Sequence, residues 1–182
     1  MARRPELVDH LLQHSVKRGD FVLRSGKKSN WFIDAKQTTC SPDGMLLVAE
    51  AFLETLPDDI DAIGGLTMGA DAIAFSVAAI AATRGRMLRS FSVRKEDKDH
   101  GAGGRIAGAL RAGDRVALTD DAITRGVAFL EAAAAVRAAG AEPVIAIPVV
   151  DRGGTAAAMC EHEGIAFAPL VTAPDLGFPY EG

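Results

Sequence analysis

Apolar residues recur at helical spacing near the start of the chain, where Leu7, Leu11 and Leu12 share one side of a predicted helix that stops at Gly19. Two short apolar runs then flank a basic turn with one glycine, a pattern typical of a β-hairpin. Pro42 suits the first turn of the next helix, and Pro57 ends it. These patterns predict a helix over 5–18, strands over 21–23 and 31–33, and a helix over 42–56.

From residue 60 onward, short apolar strands alternate with helices of about 10–14 residues, which implies right-handed crossovers and a mainly parallel sheet with helices on both faces. Asp71 is suited to cap the first of these helices. The predicted strands cover 60–66, 87–93, 115–119, 144–150 and 165–171, and the predicted helices cover 71–82, 126–139 and 154–163. The charged, glycine-rich segment 94–108 has no apolar period, so we expect a loop or a flexible hairpin there.

Composition narrows the class of protein. The 182 residues suit one domain, and 48% hydrophobic with 24% charged residues is typical of a soluble globular protein. A net charge of −4 argues against nonspecific binding to nucleic acid or to an anionic membrane. Cys40 and Cys160 lack a CxxC partner, so we expect reduced thiols. The first twenty residues have no signal-peptide core, and the most apolar window, 62–82, contains Asp71 and three glycines. We therefore expect a cytoplasmic protein without a membrane span.

A candidate phosphate site follows the predicted strand 115–119. Asp120 and Asp121 end this strand, and a short loop with Thr124 and Gly126 leads into a helix. Ligands bind at the carboxyl ends of parallel strands, and a helix N-terminus favours an anion. Because two carboxylates would repel a phosphate, they suit sugar hydroxyls or a metal-bound group instead. An acidic turn that caps the helix explains the same residue types.

A second candidate is the basic segment 94–101. It carries Arg94, Lys95, Lys98 and His100, interleaved with three acidic residues. A loop of this composition could close over a leaving diphosphate and neutralise its charge. A mixed-charge solvated loop is the alternative. A nucleic-acid patch is disfavoured, since acids interrupt the cations and no aromatic residue lies between them.

Segment 116–128 resembles the phosphoribosyl-diphosphate signature of the type I phosphoribosyltransferases, an apolar run followed by D-D-x-x-T-x-G. Segment 94–101 reads R-K-x-x-K-x-H-G and is similar to the mobile catalytic loop of orotate phosphoribosyltransferases. Segment 21–29 resembles that family's F-x-L-[KR]-S-G-x-x-S element, and Asp151-Arg152 and loop 64–71 match two further elements. The five matches follow the family's order from residue 21 to residue 152.

The resemblance implies the type I phosphoribosyltransferase fold, an α/β fold with a central, mainly parallel sheet flanked by helices and a small N-terminal hood. It implies a single domain over 1–182, with the hood mainly from 1–40, a possible contribution from the C-terminal segment, and a core at about 41–171. It also implies transfer of phosphoribosyl from 5-phosphoribosyl 1-diphosphate (PRPP) to orotate in pyrimidine biosynthesis, with Mg²⁺, by a homodimer with shared active sites. A transferase for another base, such as a purine, is one rival; a ligand-sensing regulator is another, but it should lack the catalytic loop.

The site residues below are those that the resemblance implies. The catalytic residues are Lys98, Asp120 and Asp121, and the two aspartates are also candidates to contact a Mg²⁺ held mainly by the diphosphate. The donor-binding residues are Met68, Gly69, Arg94, Lys95, Lys98, His100, Asp120, Asp121, Ala122, Ile123, Thr124, Arg125, Gly126, Val127 and Ala128. The orotate-binding residues are Arg24, Phe32, Ile33, Thr124 and Arg152. Arg125 departs from the small residue expected there, and Met68-Gly69 replace an aromatic-lysine pair found in some members.

Overall fold

A computed structural model describes residues 4–22, 26, 28–96 and 104–181 of the chain. The first part contains α1 (Pro5–His10), a π-helical turn (Leu11–Ser15), β1 (Val16–Val22), β2 (Lys28–Ile33), α2 (Lys36–Thr39) and α3 (Pro42–Thr55). The central part contains β3 (Ala62–Leu66), α4 (Asp71–Thr83), β4 (Arg89–Val93), β5 (Ile106–Gly108), β6 (Arg115–Ile123) and α5 (Val127–Ala138). The last part contains β7 (Glu142–Asp151), α6 (Ala156–His162), β8 (Ala166–Phe167), β9 (Val171–Thr172) and a 3₁₀ turn (Pro174–Leu176).

The main sheet has the strand order β5-β4-β3-β6-β7-β8, and β9 pairs with β7 beyond β8. β3, β4, β6, β7, β8 and β9 pair in parallel, whereas β5 returns antiparallel to β4. β1 and β2 form a separate antiparallel hairpin. The predicted α/β fold with a central, mainly parallel sheet is therefore confirmed.

Alternate residues of a strand point to opposite faces of the sheet, and both faces of this sheet carry apolar side chains. Helices therefore cover both faces. On one face, Ile147 of β7 shares a core with Phe52 of α3 and Ile73 of α4. On the other, Leu118 of β6 shares a core with Phe129 of α5. Among the residues that the structure describes, no helix is long and apolar enough to cross a bilayer.

The N-terminal helix is shorter than the helix predicted over 5–18. The helical segment ends at Ser15, and β1 begins at Val16 because this residue pairs with Ile33 of β2. Gly19 is not a stop but lies within β1, at a register shift between Arg18 and Phe21. Pairing with a distant strand has overridden the local helical spacing.

Several other boundaries differ from the sequence-based prediction. β6 extends to Ile123, so Asp120 and Asp121 lie within the strand and not at its end. The strand predicted over 165–171 is two short strands, β8 and β9, and α2 was not predicted. Asp71 is the first residue of α4 and does not cap it; its carboxylate instead accepts hydrogen bonds from the hydroxyls of Thr67 and Ser92.

Candidate functional site

The candidate site lies at the edge of the sheet where β3, β4, β6 and β7 end. These strands are parallel, so the segments that follow them emerge on the same side. Segment 67–70 follows β3, Arg94 follows β4, segment 124–126 follows β6 and segment 152–155 follows β7. The sheet thus brings together segment 124–126, the candidate phosphate loop, with the start of the basic segment and the Asp-Arg element.

Asp120 and Asp121 are held by the backbone at the end of β6. The N–H of Asp121 donates to Asp120 Oδ1 at 2.9 Å, and the N–H of Ala122 donates to Asp121 Oδ1 at 2.9 Å. Consecutive strand residues face opposite sides, and Asp121 is the more buried of the two. Each carboxylate therefore has a fixed orientation before any ligand arrives.

Lys36 of α2 is a third charged group at this point, and no sequence motif indicates a role for it. Its ammonium forms an ion pair with Asp121 Oδ2. Burial lowers the pKa of Lys36, but the hydrogen bond and charge of Asp121 outweigh it and raise that pKa above its usual value. Burial, reinforced by the negative charge of Asp121, raises the pKa of Asp120 to about 7. Lys36 thus offsets part of the charge of two adjacent carboxylates.

The loop after β3 approaches Asp120 closely at Gly69. A Cβ atom on Gly69 would lie 1.9 Å from Asp120 Oδ1, so the Asp120 carboxylate would have to move. The peptide bond between Thr67 and Met68 is cis, and the Met68 side chain is 71% exposed. The loop consequently presents backbone, not a cation, beside the carboxylates.

The phosphate loop after β6 rests on the loop after β7. Gly126 adopts φ = 78° immediately before α5, a left-handed conformation that favours glycine. A Cβ on Gly153 would lie 1.8 Å from the carbonyl oxygen of Thr124, and the hydroxyl of Thr155 donates to that same oxygen at 3.2 Å. Asp151 Oδ1 accepts from the N–H groups of Gly153 and Gly154 at 3.1 and 3.0 Å. The Asp-Arg element thereby supports the phosphate loop as well as carrying Arg152.

The other residues of the D-D-x-x-T-x-G signature segment differ in how far they are exposed to solvent. Ala122, Thr124 and Ala128 are half-buried, Arg125 and Val127 are exposed, and Gly126 is buried. Ile123 is buried in the core shared with α5, so only its backbone could contact a donor. The Arg125 side chain forms no ion pair within the described part of the chain.

The predicted orotate contacts divide between two faces of the hairpin. Phe32 is 38% exposed and Ile33 only 6%, because they are neighbours on β2 and point to opposite sides. Phe32 therefore offers its side chain at this surface, whereas Ile33 can contribute only backbone, and both stay predicted orotate contacts. Arg24 lies outside the described residues.

Arg152 is buried in a cluster that the sequence did not reveal. Its guanidinium lies 4.7 Å from the centroid of the Trp31 ring, and it donates to the Trp31 carbonyl at 3.2 Å. It forms an ion pair with Glu181 at 2.5 Å. Trp31 in turn stacks on Phe178, with ring centroids 4.4 Å apart. The hairpin, the loop after β7 and the segment 178–181 meet at this arginine.

The basic segment is described only at its two ends. Lys98 and His100 lie outside the described residues, and Lys95 is exposed. Arg94 donates through its guanidinium to the carbonyls of Gly104 and Ile106 at 3.3 and 3.5 Å, and its N–H donates to the carbonyl of Arg105 at 2.8 Å. The two described ends of the segment are therefore joined to each other, and β5 pairs antiparallel to β4. Within the described ranges, no group of three or more His, Cys, Asp or Glu side chains could hold a metal ion.

Similar proteins have been identified by sequence and by structure, although no protein-family model matches the chain. The chain is 37% identical over 179 residues to an orotate phosphoribosyltransferase from Nostoc sp., covering 98% of this chain and 87% of that protein. It is similar to the crystal structure of Mycobacterium tuberculosis orotate phosphoribosyltransferase in complex with Fe(III) dicitrate, with a TM-score of 0.86 and 34% identity over 97% of this chain and 100% of the other. The same enzyme in complex with PRPP gives a TM-score of 0.82 and 32% identity, with the same coverage of both chains.

Proposed function

Because the chain belongs to the orotate phosphoribosyltransferase family, we propose that it transfers the phosphoribosyl group of PRPP to orotate, giving orotidine 5-monophosphate and diphosphate in pyrimidine biosynthesis. The observation that carries this proposal is the edge of the sheet where Asp120 and Asp121 precede the N-terminus of α5. A pair of fixed carboxylates beside free helical N–H groups suits a sugar that bears a phosphate.

In this proposal the donor binds along β6 and the start of α5. Thr124, Arg125, Gly126, Val127 and Ala128 surround the 5-phosphate, chiefly with backbone N–H groups, and Gly126 permits the close approach. Asp120 and Asp121 accept hydrogen bonds from the ribose hydroxyls, and the backbones of Ala122 and Ile123 complete that side. The backbone of Met68 and Gly69 faces the diphosphate, since Gly69 lies against Asp120.

The reaction builds negative charge on the diphosphate as the ring nitrogen of orotate attacks the anomeric carbon. Arg94 and Lys95 follow β4 at the same edge of the sheet, beside the proposed donor site. The resemblance to the family's catalytic loop assigns Lys98 and His100 to the same leaving group. Lys98 is the main cation in this proposal. Removing one such stabilising contact typically costs about 2.7–4 kcal/mol of transition-state stabilisation.

We also propose that Mg²⁺ accompanies the donor. The described carboxylates fit this arrangement, because Asp120 and Asp121 form no closed cage with a third ligand and Asp121 is engaged by Lys36. Mg²⁺ commonly binds through one or two carboxylates together with substrate phosphates and water. When bound, it would neutralise charge on the diphosphate. Asp120 and Asp121 would hold the ribose hydroxyls in either case.

For the acceptor, Arg152 is proposed to bind the carboxylate of orotate through its planar guanidinium, which suits a bidentate contact. Phe32 supplies an exposed aromatic face for the ring, and Thr124 and the backbone of Ile33 border it. Arg24 is proposed as a further charged contact. The burial of Arg152 against Trp31 supports recognition of a single anionic group there.

A homodimer with shared active sites is a further part of the proposal. The support for it is the resemblance of segment 94–101 to the family's catalytic loop, which in that family reaches into the neighbouring subunit's site. Light scattering would give the oligomeric state. Mixing two inactive variants, Lys98→Ala and Asp120→Asn, would restore activity only if each site takes residues from both subunits.

The cytoplasmic location stays a prediction.

A panel of bases tests the proposed reaction. The protein is incubated with radiolabelled PRPP and Mg²⁺ and one of orotate, uracil, adenine, hypoxanthine or guanine, and the labelled nucleotides are separated. We expect label transfer to orotate alone. Transfer to hypoxanthine without transfer to orotate would replace this proposal with a purine phosphoribosyltransferase.

A further inference from the structure

Both oxygens of the Glu181 carboxylate contact other residues of the cluster around Arg152. Ser29 of β2 donates its hydroxyl to Glu181 Oε1, and Arg152 forms the ion pair with Glu181 Oε2. The N–H of Glu181 also donates to the carbonyl of Arg152 at 3.0 Å. The side chains of Arg152 and Glu181 are only 10% and 14% exposed, so the pair is shielded from water.

Two buried donors in the same cluster lack an acceptor. Within the described part of the chain, Arg152 Nε and Trp31 Nε1 have no hydrogen-bond partner, and Glu181 Oε2 meets Arg152 through the ion pair alone, without a hydrogen bond. Leaving a buried donor unpaired is unfavourable, so such a group calls for a partner such as a ligand or water. A flat, anionic ring with carbonyl oxygens offers acceptors of the required kind.

We propose that Glu181 occupies the position of the acceptor's carboxylate on Arg152, and that orotate displaces it on binding. This inference rests on the proposed function, because it takes Arg152 as the residue that binds the carboxylate of orotate. One guanidinium in a shielded cluster cannot hold two carboxylates at the same position, since they would repel each other at low dielectric. Glu181 therefore acts as an internal competitor that sets the affinity for the acceptor.

The competition has a defined kinetic consequence. Displacing Glu181 adds a cost to orotate binding but leaves the donor site at β6 unchanged. The KM for orotate should therefore include the loss of the Arg152–Glu181 pair, while kcat and the KM for PRPP should not. If Glu181 were a purely structural clamp that orients Arg152, its loss would instead weaken orotate binding.

Glu181→Gln tests the inference, because glutamine keeps the size of the side chain and the contact with Ser29 but removes the charge. We expect the KM for orotate to fall about tenfold, because orotate no longer has to displace a charged partner from Arg152. Glu181→Ala should lower it as well. Orotate should also raise the melting temperature of Glu181→Gln more than that of the wild type, because its carboxylate supplies the partner that Arg152 has lost.

Glu163→Gln is the matched control, since Glu163 forms an ion pair with Arg137 at 2.7 Å outside the site. It should leave the KM for orotate unchanged. An unchanged or higher KM for orotate in both Glu181 variants would overturn the inference and leave Glu181 as a structural clamp. A wild-type protein that consumes no orotate would contradict the proposed function itself, before any variant is compared.

Discussion

Gly153 lies so close to the backbone of the phosphate loop that a side chain at this position would push the loop away. A Cβ at this position would lie 1.8 Å from the carbonyl oxygen of Thr124, 2.5 Å from its carbonyl carbon and 2.9 Å from its Cα. All three are backbone atoms, so no rotamer change can relieve the clash. Ordinary contact begins at 3.4 Å, and the loop would have to move by about 1.6 Å, the difference between 3.4 and 1.8 Å.

We therefore expect Gly153→Ala to lower kcat/KM for PRPP by about 100-fold or more, because a misplacement of about 1 Å can cost this much. The assay is the initial rate at saturating orotate with varied PRPP. Gly113→Ala is the control: Gly113 has φ = 85° with open space around it, so alanine adds backbone strain without a clash. The control should lose some thermal stability but keep kcat/KM within about twofold. A folded Gly153→Ala protein with near wild-type kcat/KM would refute the proposed support.

Other predictions concern the carboxylates and the basic segment. Gly69→Ala should raise the KM for PRPP at least about tenfold, because its Cβ would displace the Asp120 carboxylate; an unchanged KM would count against donor binding by Asp120. Lys36→Met should raise the same KM and Lys36→Arg should largely restore it, since Asp121 needs a cation beside it; equal KM values in both variants would show that the charge is unimportant. Lys98→Ala should lower kcat steeply while PRPP binding, followed by calorimetry, survives; a near wild-type rate would remove its assigned role. Burial raises the pKa of Asp120 to about 7, above the unfolded value of 3.8, so ionising it costs stability progressively from about pH 4 to above pH 7. Asp120→Asn should therefore gain stability relative to wild type as the pH rises from 5 to 8 in thermal melts, and a constant difference would contradict the shift.

Much of the core was predictable because its signals are local. The alternation of apolar strands and helices depends on residues close in sequence, and it gave the parallel sheet with helices on both faces. The position of the site followed from the same pattern, because parallel strands end at one edge. Asp120, Asp121 and Gly126 could therefore be placed at this edge from the sequence.

The sequence could not reveal contacts between distant segments. Lys36 lies 85 residues from Asp121, and Ser29 lies 152 residues from Glu181, so neither pair leaves a local pattern. The start of β1 was missed for the same reason, since its pairing with β2 decides it. The separate faces of Phe32 and Ile33 follow from the period of two along a strand, so this difference is a local signal that the sequence does carry.

The central claim is the transfer of phosphoribosyl from PRPP to orotate, and its most direct test is the stoichiometry of a single reaction. Orotate loss is followed by absorbance, while orotidine 5-monophosphate and diphosphate are quantified in the same samples with Mg²⁺ present. The account predicts equal amounts of orotate consumed and of both products formed, with no reaction when PRPP is omitted. Release of diphosphate without loss of orotate, or no turnover by a folded protein, would contradict it.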